Sequence, residues 1–155
     1  MAIRRKTTNA EVTAVFNKRI ALFRKAILVS LIRIGENAIT EARKNGRYID
    51  RTGNLRSSIG YAVVDNGTVV MRSTFDTVLG KTEVKGQQLK GDTGREEGMK
   101  YLESLITATS GIQLIMVAGM PYAQYVEDMN KNVLDTAERY ATGEVAKLKS
   151  KFNLK

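Results

Sequence analysis

Phe16, Ile20, Phe23, Ile27, Leu31, Ile34 and Ala38 recur at steps of 4-3-4-4-3-4. That rhythm keeps one apolar stripe on one side of an α-helix for about six turns. Thr8 followed by Glu11 forms a capping box at its start, and Asn45-Gly46 suits a left-handed cap at its end, so the spacing predicts a single helix over 8–45. At 1.5 Å per residue it would span on the order of 50 Å, more than a compact domain of this size can cover. Part of it must therefore project or bend, with Gly35 the expected bend. A projecting amphipathic helix needs a surface to pack on, and a neighbouring copy of the same chain is the simplest one.

The remaining elements are shorter. DRTGNLRSSI reads as a turn into a short helix capped by Thr52 or Asn54. In GYAVVDNGTVVMRSTF, Asn66-Gly67 between two Val-rich runs predicts a hairpin with strands near 60–65 and 68–75. Residues 76–94, rich in Gly, Lys and Thr, show little periodicity and read as a long mobile loop. A helix is expected over 95–109. The apolar run GIQLIMVAG (111–119) reads as a central strand covered on both faces. A short helix over 122–128 follows Pro121, and an amphipathic helix closes the chain. The sum is α+β: a small, mostly antiparallel sheet, hairpin plus central strand, packed by a long N-terminal helix and a C-terminal helix. We read 1–155 as one domain with a basic N-terminal arm over 1–8 and a frayed tail over 150–155.

Composition narrows the chemistry. The 155 residues include no cysteine and no histidine, which removes thiolate chemistry, the commonest general base and the commonest transition-metal ligand. No apolar run suggests a secretory signal or a spanning helix, since AILVSLIRIG is short and closed by Arg33. The chain reads as a protein kept inside a cell or packaged into something assembled there. The net charge of +9 is uneven: residues 1–60 hold 13 Lys/Arg against 4 Asp/Glu, and the rest balance at 12 against 12. Such asymmetry suits a polyanionic partner, either DNA or an acidic protein face, or else a solvated basic helix face. Arg4, Arg5 and Lys6 form a basic arm. Lys18, Arg19, Arg24, Lys25 and Arg33 are placed to line one helix face and neutralise phosphates without reading sequence.

Sites for catalysis are weak. Glu127-Asp128, with Asp135, are the carboxylates nearest to a cation site, but adjacent carboxylates diverge on a helix and no second cluster accompanies them. GKTEVKG lacks the spacing of a phosphate-binding loop. Ser57-Ser58 beside Arg56 have no base nearby in sequence. We expect no enzyme activity, no metal and no cofactor. In PYAQYVEDM, Tyr122, Tyr125 and Val126 share a helical face, either as a corner packed on the core or as an interface, where tyrosine is favoured.

RTGNLRSSIGYAVV, followed much later by VAGMPYAQYVEDMNKNVL, resembles the paired signature of the tail-completion, or neck, proteins of long-tailed bacteriophages. Thr52, Gly53, Asn54, Leu55, Arg56, Ser58 and Ile59 match the first block, and Tyr122, Ala123, Tyr125, Val126 and Glu127 the second. The order of elements agrees from about residue 10 to 145. The chain departs from the family after Glu127, where DMNKNVL replaces a Gly-Thr pair and a proline-rich segment. The resemblance implies a non-catalytic virion protein, assembled from host cytoplasm into a homo-oligomeric ring at the head–tail junction. Its partners would be copies of itself, the adjoining connector and tail proteins, and the DNA in the bore. On the family matches, Leu55 and Ile59 pack the short helix, while Arg56 and Glu127 form a polar pair within or between subunits. The competing reading is a basic DNA-binding accessory protein without sequence preference.

Overall fold

The computed structural model describes residues 7–152; Arg4, Arg5 and Lys6 of the basic arm and residues 153–155 of the tail lie outside them. Helix α1, Asn9–Asn45, starts where the capping box places it. The Thr8 hydroxyl accepts from the Glu11 N–H at 3.2 Å, and the Glu11 carboxylate accepts from the Thr8 N–H at 2.7 Å. The helix runs unbroken through Gly35, whose role is close approach: a Cβ there would lie 2.4 Å from the Tyr61 ring. Its C-terminal end departs from expectation. Gly46 is extended, at φ −59°, because the last turn is capped from across the chain and needs no left-handed turn. The Asn132 side-chain amide donates to the Asn45 carbonyl at 2.9 Å, and the Arg47 N–H donates to the Lys131 carbonyl at 2.7 Å.

After the one-turn helix α2, Asn54–Ser57, strands β1 (Ile59–Asp65) and β2 (Thr68–Arg72) form the hairpin that Asn66-Gly67 predicts. Both turn residues have positive φ, 49° and 78°, as a two-residue primed turn requires. Strands β3 (Leu79–Val84) and β4 (Gln87–Lys90) form a separate two-stranded sheet, which corrects the reading of 76–94 as a loop. Apart from buried Gly80 and half-buried Leu89 their residues are exposed, so no hydrophobic alternation marks them. The hairpin is held at its base by the Lys81 and Thr82 N–H groups, which donate to the Asp50 and Arg51 carbonyls at 3.0 and 2.8 Å. Helix α3 spans Asp92–Leu105, β5 Ile112–Ala118, α4 Ala123–Asp128 and α5 Asp135–Lys151.

The main sheet has the order β2-β1-β5, antiparallel throughout, with Ile59 opposite Ala118 and Asp65 opposite Ile112. The expected central strand, β5, is therefore an edge, and β1 is central. Apolar sequence in β5 reports cover on its faces and says nothing of its edges. The fold is α+β in three layers. On one face Ile59, Tyr61 and Val63 meet Leu31, Ile34 and Ala38 of α1 and Ala137 and Ala141 of α5. On the other, Ala62 and Val64 meet Phe75, Leu102 of α3 and Val117. Helices α1 and α5 run antiparallel: Phe23 meets Phe152 edge-on, centroids 4.7 Å apart, while Asn37 meets Tyr140 farther along.

Candidate functional site

The first sequence block is a joint between backbones. Gly53 sits at φ +80°, and a Cβ there would lie 2.0 Å from the Val78 carbonyl oxygen. It occupies the cap position of α2 expected for Thr52 or Asn54, because that tight passage admits no side chain. Thr52 instead accepts the Asn54 N–H on its hydroxyl at 3.3 Å. The Asn54 side-chain oxygen is turned to a different helix, accepting the Gly94 N–H in the first turn of α3 at 3.1 Å. Ser57 clamps the joint: its hydroxyl donates to the Gly53 carbonyl at 2.7 Å and accepts the Val78 N–H at 2.8 Å. The Ser58 hydroxyl donates to the Leu55 carbonyl at 2.8 Å. Leu55 and Ile59 lie buried in the core below α1.

The second block is a corner between β5 and α5. Ala123 is buried and Val126 packs against the core, whereas Tyr125 is 67% exposed. Glu127 accepts the Val133 and Leu134 N–H groups on one carboxylate oxygen, at 2.8 and 2.6 Å. It thereby satisfies backbone donors at the entry to α5, beside the Asn132 side-chain oxygen, which accepts the Thr136 N–H at 3.0 Å. Arg56 and Glu127 form no ion pair with each other in this chain. Arg56 lies over the Tyr48 ring, 5.4 Å from its centroid, and its backbone N–H donates to Asp50 at 3.1 Å.

The two blocks meet through a polar cluster that includes Tyr48 and Asp50, which the sequence reading did not single out. Burial pushes the Tyr48 phenol up to about 12; Arg56's positive charge works against this and Asp50's negative charge adds to it. Burial, then the Asp50 charge, also raises Tyr122, with a hydrogen bond to Thr52 opposing. Both shifts favour the protonated, uncharged phenols. The cluster joins Thr52 and Arg56 of the first block to Tyr122 of the second. Its sequence signal was slight: one tyrosine and one aspartate in a polar turn.

The basic residues divide. Lys18, Arg19 and Lys25 are exposed. Arg24 has a partner within the chain: it grips Asp65 with two guanidinium N–H groups, the Nε one at 2.8 Å. That hydrogen bond is the main reason the Asp65 carboxyl is held below the usual carboxylate range. Lys18 and Lys25, seven residues apart, share one side of α1, with Arg19 about 100° round from Lys18.

Beyond the two blocks lies a groove of about 850 Å³ along the open edge of β5, between α3 and the α4–α5 corner. Met116, Leu134, Tyr101 and Leu105 are among its apolar lining, and its charged side chains are the carboxylates Glu97, Glu127, Asp135 and Glu138 and the lysine Lys100. Among the described residues no group of three carboxylates is arranged to hold a metal ion, and no helix is long and apolar enough to cross a membrane. Compared with models of protein families, with curated proteins and with solved structures, the chain matches none.

Proposed function

We propose that this chain is a structural virion protein of a tailed phage, acting at the head–tail junction as a homo-oligomeric ring and without catalytic activity. The observation that carries this reading is α1. Every residue from 13 to 23 is exposed, and these include Val15, Phe16, Ile20 and Leu22, each at least 55% exposed. An isolated helix of this length is marginal in water, and a run of exposed apolar side chains marks an interaction surface. A protein that works as one member of an assembly would carry such an element. The two sequence blocks lie side by side, with the Gly119 N–H donating to the Ser58 carbonyl at 3.1 Å and Ile59 opposite Ala118, and this supports the resemblance.

Quantitative mass spectrometry on purified particles tests this, with copy number referenced to the portal. We expect a fixed, ring-like multiple; absence from mature particles would overturn the reading. The second reading, passing contact with DNA, is favoured by the exposed Lys18 and Lys25 on one side of α1. It predicts duplex binding at low salt that weakens steeply as salt rises, measured by fluorescence anisotropy.

A further inference from the structure

We propose that residues 9–23 of α1 dock along the β5-edge groove of a second copy of this chain. This deepens the ring reading above and rests on it for closure of the array. The donor is the exposed helix, with Val15 and Leu22 55% and 60% exposed on one side of it and Lys18 and Arg19 flanking them. The acceptor is an unpaired strand edge with an apolar lining and acidic side chains.

Charge complementarity selects the occupant. Among the described residues Lys18, Arg19, Glu97 and Glu138 enter no ion pair. The donor offers Lys18 and Arg19 on either side of Val15 and Leu22, and the acceptor offers Glu97 and Glu138, an excess of acid over its one lysine, Lys100. Matched patches of this kind steer association and fix register.

Position excludes the chain's own helix. Phe23, where the exposed segment ends, sits against Phe152 at the C-terminal end of α5, whereas Leu134, Asp135 and Glu138 of the groove lie at its N-terminal end. The 17 residues of α5 separate the two by roughly 25 Å at 1.5 Å per residue. Donor and acceptor at opposite ends make a head-to-tail contact, the kind that repeats and closes into a ring when the rotation allows.

The chain has no cysteine, so single introduced thiols report contacts cleanly. Val15→Cys and Ser104→Cys, the latter on the groove, are prepared separately, mixed with wild-type protein omitted, and treated with a short bismaleimide. We expect a covalent dimer in the mixture and none with either variant alone. Self-linking of Val15→Cys would indicate helix-to-helix pairing and overturn the proposal. A silent mixture would overturn it as well, whether the wild type sediments as an oligomer or as a monomer whose groove serves another partner.

Charge reversal gives the second arm, and none of the four side chains involved is buried. Lys18→Glu with Arg19→Glu is expected to weaken self-association roughly tenfold or more, and adding Glu97→Lys with Glu138→Lys to restore it. Failure to restore would overturn the pairing. Cross-linking and sedimentation are read on the isolated chain, so the particle copy number can fail while the docking stands, and the reverse.

Discussion

Tyr48 and Tyr61 are buried phenols whose hydroxyls differ in one respect. The Tyr61 hydroxyl donates to the Glu36 carboxylate at 2.8 Å, whereas the Tyr48 hydroxyl is buried without a hydrogen-bond partner. Removing a satisfied buried group costs stability, and removing an unsatisfied one relieves a desolvation penalty. Tyr61→Phe is therefore expected to cost about 1–2 kcal/mol, and Tyr48→Phe to be neutral or stabilising, both read from urea unfolding curves. In the latter variant the phenyl ring that remains would keep its place under Arg56. The same two phenols set the alkaline limit. Burial raises both, and the Glu36 hydrogen bond raises Tyr61 further. A raised phenol binds its proton more tightly in the folded state, so its contribution is complete below the ordinary value near pH 10 and is lost as pH climbs above it. Stability measured between pH 9 and pH 12 should fall, and fall less steeply in Tyr48→Phe. A slope unchanged in that variant would show that Tyr48 does not titrate with unfolding.

At the scale of elements, the joint of α2 with α3 makes the sharpest claim. Gly94 lies inside α3, where alanine would ordinarily gain about 1 kcal/mol. Here a Cβ would stand 1.9 Å from the Asn54 carbonyl oxygen, backbone that cannot rotate aside. Gly94→Ala should reverse the usual sign and destabilise by about 3 kcal/mol, measured by chemical denaturation. Glu127→Ala should cost about 2 kcal/mol by leaving the Val133 and Leu134 N–H groups without their acceptor. A loss of assembly in such a variant would then report folding and not an interface. These joints explain what the sequence could and could not disclose. Helix α1 and the β1–β2 hairpin were legible because their signals are local: a periodic stripe with a capping box, and Asn-Gly between apolar runs. The β3–β4 hairpin was not, since Lys85-Gly86 makes its turn and its polar strands bury nothing that would set a period. The edge position of β5 was hidden for a related reason, because strand order depends on pairing across the chain.

For the whole molecule, the division between body and projection predicts how each responds to deletion. Among the described residues, removing 1–21 takes away side chains that are exposed apart from half-buried Val12, and leaves Phe23 against Phe152. The body should keep its thermal midpoint within about 3 °C while self-association is lost, measured by circular dichroism and sedimentation; a collapse of the midpoint would show that the segment supports the fold. The projection itself was foreseeable from arithmetic, a helix too long for its domain. The groove was not, since α3, β5 and α5 contribute to it from stretches far apart in sequence, and no one of them bears its mark. The way α1 is held has one more result. Starting a helix in water is unfavourable by a factor of roughly a thousand, but residues 31–42 of α1, pinned on the sheet and α5, supply turns already wound. The outer segment only has to grow from that seed, at nearly no free energy per residue, up to the stop set by Thr8 and Glu11. Its reach is thus a distribution of lengths, which warming or Thr8→Ala shortens from the tip inward while the body stays folded.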